Sequence, residues 1–122
     1  MLSLIRPLAF IVALLCLPVS AYAEWTDWLT SRQYQSEFNW RASKGWYPTK
    51  ISANVFDGEV MYKAKFKRTP AGRFRFAMHH GISSRHFEAY KAEYGSRGYR
   101  LIYHARLNYD GRWYNQGIWV QR

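Results

Sequence analysis

The chain has one cysteine, Cys16, and it lies inside an apolar run near the N-terminus. Beyond residue 23 there is none, which excludes a disulfide framework, a thiolate metal site and a cysteine nucleophile from that part of the chain. Stability there has to come from packing. Acidic residues are also few, 8 against 18 Lys and Arg. They are scattered, and Asp57 and Asp110 each precede a glycine as turn formers, so a paired-carboxylate glycosidase finds no support. The one long apolar run, residues 7–19, is shorter than the roughly 20 residues that a membrane-spanning helix needs.

That run follows Arg6 and leads into Ala21-Tyr22-Ala23, so residues 1–23 are expected to be an export signal cleaved after Ala23. Cys16 would leave with it. Removing Arg6 leaves 17 basic residues against all 8 acidic ones, a net charge of +9 on residues 24–122. Such a domain is expected to lack a transmembrane segment, to work in the periplasm or outside the cell, and to attract polyanions. Its aromatic content, 19% over the chain, supplies a large apolar area for one domain of this size.

Two stretches share a pattern of helix, glycine-aromatic pair, strand, Asp-Gly turn and strand. Gly45-Trp46 answers Gly98-Tyr99, Asp57-Gly58 answers Asp110-Gly111, and Phe66 answers Trp119, all at an offset of 53 positions. A constant offset marks an internal repeat, with units at about 30–78 and 79–122. Trp25 and Trp28 precede the first unit on an arm expected to dock on the body.

Thr30 with Gln33 forms a capping box, and Tyr34, Phe38 and Ala42 recur every fourth residue, predicting a helix over about 31–44. Asp57-Gly58 predicts a hairpin that sets Val55 opposite Val60, Ala53 opposite Tyr62, Ile51 opposite Ala64 and Thr49 opposite Phe66. The other face then carries Met61, Lys63, Lys65 and Lys67. A three-residue loop at Pro70-Ala71-Gly72 would pair the second strand with a third, putting Phe66 against Phe76 and Lys67 against Arg75, with Arg73 nearby.

Ser83 or Ser84 caps a second helix, in which Phe87, Tyr90, Lys91 and Tyr94 lie on one face. In the hairpin after it, Tyr103, Leu107, Tyr114 and Ile118 share a face, and Trp113 and Trp119 fall on the polar side. This apolar face has the opposite parity to that of the first hairpin. Either a bulge near Asn115-Gln116 restores equivalence or the second hairpin has both faces partly covered.

The segments GWYPTKIS, YKAKFKR, HHGISSRHFEAY, GYRLIYHARLNYDG and GIWVQR resemble the repeat unit of bacterial tandem-repeat proteins and of the N-terminal region of secreted polyglycine hydrolases. The resemblance covers about residues 30–122. It departs from the unit at Tyr47, where an arginine is usual, in the basic Lys63-Ala64-Lys65-Phe66 return strand, and in an apparent extra residue in the second return strand. In larger relatives such repeats accompany a serine hydrolase domain. That domain's S-x-x-K nucleophile motif is missing here, so the resemblance implies the accessory part and no catalytic residue.

The expected architecture is therefore α+β: two helix-hairpin repeats, a largely antiparallel sheet, and helices packed on one side. The expected function is non-catalytic binding of an anionic envelope or extracellular glycan, or of a protein partner, without a cofactor or metal. Lys63, Lys65, Lys67, Arg73, Arg75, Trp113 and Trp119 are the candidate contacts, and nucleic acid fits the same residues less well in an exported protein. A small secreted hydrolase or nuclease using His80, His104 and Lys50 is the alternative. Homodimerisation is expected to use an edge at residues 118–121.

Overall fold

The computed structural model of the chain describes residues 24–122, so the expected export signal, its expected cleavage point and Cys16 lie outside the described residues. The capping box forms as read: the Thr30 hydroxyl accepts from the Gln33 N–H, and Gln33 Oε1 accepts from the Thr30 N–H, starting α1 (Ser31–Ser43). β1 (Trp46–Phe56) and β2 (Glu59–Arg68) turn at Asp57-Gly58, both at positive φ. Val55, Ala53 and Ile51 face Val60, Tyr62 and Ala64 as expected. A bulge at Thr49 then sets Pro48, rather than Thr49, against Phe66. β3 (Arg75–Ile82) leads to α2 (Ser84–Ser96), capped by the Ser83 hydroxyl, and β4 (Arg100–Tyr109) and β5 (Arg112–Gln121) close a second Asp-Gly hairpin.

The expected pairing of β2 with β3 does not form. One edge of β2 holds β1, and the other is taken by residues 24–29, which bridge Trp25 to Lys65 and Leu29 to Tyr62. Thr26 N–H donates to the Ala64 carbonyl at 2.9 Å, and Leu29 and Tyr62 exchange backbone bonds of 2.7 Å. With no edge free, β3 crosses to a second sheet of order β3-β5-β4, where Arg75 faces Gln121 instead of Lys67. The first four residues of β3, expected in the first unit, are thereby part of the second, and the division between units falls in the 69–74 connection.

The offset of 53 holds through both sheets. Trp25 with Lys65 becomes Met78 with Ile118, and Leu29 with Tyr62 becomes Ile82 with Asn115. Ile51 with Ala64 becomes His104 with Gly117, and the bulge at Thr49 recurs at Ile102. Each repeat is thus strand, helix, hairpin, and the N-terminal arm is the first strand of the first copy. There is no extra residue in the second return strand and no bulge at Asn115-Gln116 in its pairing with β4.

The parity conflict disappears once the stacking is described. On the inner face of the first sheet, Ile51, Tyr62, Ala64 and Phe66 form one buried cluster with Tyr34 of α1 and with Met78 and Ile118 of the second sheet. Tyr103 packs against this cluster, and its hydroxyl donates to the Ile51 carbonyl at 3.1 Å. The second sheet therefore lays its inner face on the helix-bearing face of the first, and its own outer face receives α2. Residues 115–120 of β5 are covered from both sides while the turn end stays exposed, so the expectation of a second hairpin with both faces partly covered is the one that holds. β5 is also the central strand of its sheet, which removes the dimerisation edge expected at residues 118–121.

His80 sits in this joint. Its ring lies edge-on to Tyr34 and Tyr62, both with centroids at 4.8 Å, and its Nε2 is 2.9 Å from Ser31 Oγ. Beside it, the backbone of Gly81 at positive φ crosses Tyr62 so closely that a Cβ would overlap the phenol oxygen. Burial holds the His80 imidazole down to about 4, against 6.5 for a free ring, although its contact with Ser31 opposes this. Because the folded value lies below the unfolded one, the stabilisation is complete above pH 6.5 and is lost as pH falls toward 4, by roughly 3 kcal/mol in total at about 1.4 kcal/mol per unit. Urea unfolding of the wild type should therefore lose stability more steeply between pH 6.5 and 5 than that of His80→Asn, whose curve should be flatter over that interval.

Candidate functional site

The outer face of β2 carries Met61, Lys63, Lys65 and Lys67 by strand alternation, at a spacing of about 6.7 Å between alternate residues. The cross-strand partner of Lys65 is Lys50, so two ammonium groups share one rung. Directly opposed like charges cost stability, and Glu24, 3.5 Å from Lys65, offsets part of that repulsion. The like-charge contact expected between Lys67 and Arg75 is replaced by this one. Lys67 remains exposed.

Lys63 lies between two indoles, with its Nζ 5.3 Å from the Trp25 ring centre and 4.9 Å from that of Trp28. Trp28 in turn meets Phe56 edge to face at 5.1 Å. Trp25 and Phe56 stay 38% and 40% exposed, so this face joins flat apolar surface to lysine charge. Sequence reasoning placed Trp25 and Trp28 on the body but did not join them to the lysines. The usable signal was parity, since Phe56 follows Asn54, the partner of Met61, by two residues and so shares its side.

Four of the expected contacts lie elsewhere. Trp119 is 1% exposed, packed by Tyr94 at 5.0 Å and Phe87 at 5.7 Å, and is core. It occupies the place of Phe66 in the first repeat, and that equivalence was the sign that it would be covered. Arg73 belongs to the connection before β3, and Arg75 begins the edge strand of the second sheet, so neither extends the lysine face. Trp113 is 40% exposed on the outer face of the second sheet, where the Arg106 guanidinium lies 4.2 Å from its ring centre.

The histidines do not converge. His80 points into the joint between repeats, whereas His104 stacks on Phe87 of α2 at 3.8 Å and its Nε2 is 2.9 Å from Asn115 Oδ1, on the opposite side of the second sheet. His79 stacks on Tyr90 at 3.7 Å and its Nε2 lies 2.8 Å from the Tyr94 hydroxyl. Burial lowers its pKa, with Glu93 opposing. Lys50 is on the first sheet's outer face.

This is the geometry of a tandem structural repeat. A family model described as "Polyglycine hydrolase-like, structural repeat" matches the chain twice, over residues 29–69 and 75–122, and the chain belongs to that family. No curated protein and no solved structure matches the chain.

The two tryptophans should separate cleanly in a stability measurement. Trp119→Ala removes a fully buried ring and is expected to cost about 3–5 kcal/mol in denaturant unfolding, while Trp113→Ala should cost less than about 1 kcal/mol, the scale of an exposed cation–π contact.

Proposed function

We propose that the protein is an exported, non-catalytic binding module for an anionic glycan of the cell envelope or extracellular space, and that it binds through the outer face of the first sheet. The observation that carries this reading is the contrast between equivalent positions. Lys50, Lys63, Lys65 and Lys67 stand where the second repeat has Tyr103, Gln116, Ile118 and Val120, which face the joint or are buried. The repeat fold does not demand lysine there, and the opposed Lys50 and Lys65 favour an arriving anion.

Trp25 and Phe56 offer rings on which a sugar face can stack, while the ammonium groups meet carboxylate or phosphate oxygens. Lys63 keeps the indoles at the surface by holding them from between. A solvated lysine face that guards the sheet against association would have the same charge but no use for exposed rings.

The test is co-sedimentation of the protein with purified peptidoglycan sacculi at low and high salt, beside a variant with Lys63, Lys65 and Lys67 changed to serine. Binding should weaken with salt, because contacts between exposed charges are screened, and should be lost in the variant. Wild-type protein that stays in solution at low salt rules out peptidoglycan as this ligand. Binding that survives high salt points instead to an apolar protein interface.

A further inference from the structure

The outer face of the second sheet is the site that the first repeat uses to receive its neighbour. There, Ile51, Ala53, Val55 and Val60 lie on the face that the second sheet covers. At the matching positions the second repeat has His104, Arg106, Asn108 and Trp113. All four are exposed, and three are polar or charged. α2 covers Trp119 on β5 through Phe87 and Tyr94 and stacks Phe87 on His104 of β4, leaving the turn end of the hairpin, with Arg106, Asn108 and Trp113, open. A further apolar repeat face would meet a guanidinium there without a carboxylate to pair with it.

We propose that this open end is a second anion-binding face, so that one molecule bridges two strands of the same anionic glycan. The inference rests on the function proposed above. The two sheets stack with their inner faces together, so the lysine face and the Arg106–Trp113 face look in opposite directions and cannot lie along one strand. The Arg106 guanidinium carbon lies 4.2 Å from the indole centre, a cation–π contact that still lets the fork donate in parallel to a carboxylate or phosphate. The chemistry at the two ends is the same: a cation held on exposed indole, in a region short of acids. Within residues 75–122 there are 8 Lys and Arg against 3 Asp and Glu, and one of the acids, Glu93, already contacts Arg97.

The test mixes sacculi labelled with two different fluorophores and scores particles that contain both colours after the protein is added. Wild type should produce mixed clusters, with a maximum at intermediate protein and fewer at excess, where each face is occupied separately. The double variant Arg106→Ser with Trp113→Ala should bind sacculi undiminished through the lysine face yet lose at least tenfold in mixed clusters. Arg106→Glu, which keeps the indole, should do the same. Lys91→Ser, on the exposed side of α2, removes one charge as well and should cluster like wild type. If wild type binds sacculi without clustering them, or the Arg106 variants cluster normally, bridging is overturned and the binding function stands. If wild type does not bind, the binding function and the bridging fall together. Sedimentation of the free protein completes the test, since a dimer lost with the same substitutions would overturn bridging by a two-faced monomer.

Discussion

Everything in this fold depends on one apolar joint, in which the inner face of the second sheet lies on the helix-bearing face of the first. Each repeat has two sheet faces and a single helix that covers only part of one of them. Alone, either unit would leave Ile51, Ala64 and Tyr62, or Met78 and Ile118, in water. Stacked, these residues make a common core. Burial of this kind is the main favourable contribution available to a domain without disulfides. The first copy also gains a strand from the N-terminal arm, so that β2, like β5, is flanked on both edges.

The joint assigns a role to every strand position by its distance from the contact. At the same place in the repeat, Ile51 is core and His104 is outside, and Ile118 is core while Lys65 is outside. A tandem protein in which each face matched the next would carry apolar residues at all four positions. Here the polar versions occur only on the two faces that look outward, where they remain hydrated. The internal consistency of the register, down to the bulges at Thr49 and Ile102, means that these changes were accommodated by side chains with the backbone held constant.

Much of this was legible from the residues. The capping box at Thr30, both Asp-Gly turns, the hairpin pairing from Val55 to Ile51 and the offset of 53 all rest on local chemistry, and local chemistry is visible along the chain. The failures are non-local. Pro70-Ala71-Gly72 has the composition of a hairpin turn, and Gly72 does take positive φ. What prevents β2 from pairing with β3 is the arm, 40 residues away in sequence from Lys65, already bonded to that edge. Trp119 was likewise assigned by alternation to the face that carries His104, Arg106 and Asn108, although α2 covers the part of that face where Trp119 lies. Alternation identifies the residues that share a side. It does not identify the part of that side that a helix will cover.

The lysine and arginine faces show why charge counting alone could not locate the proposed binding surface. A net charge of +9 spread over residues 24–122 is consistent with many arrangements, and most of the arginines lie far from the Lys63 stripe. Pairing of the cations with rings adds the missing information. An exposed indole is unfavourable in water unless something holds and partly covers it, and an ammonium or guanidinium over its face does both while keeping its own outer donors hydrated. Lys63 does this for Trp25 and Trp28, and Arg106 for Trp113. Each of the two faces that the joint leaves free thus keeps an exposed indole beside a cation, and a flat, anionic ligand at either face would meet ring and charge together.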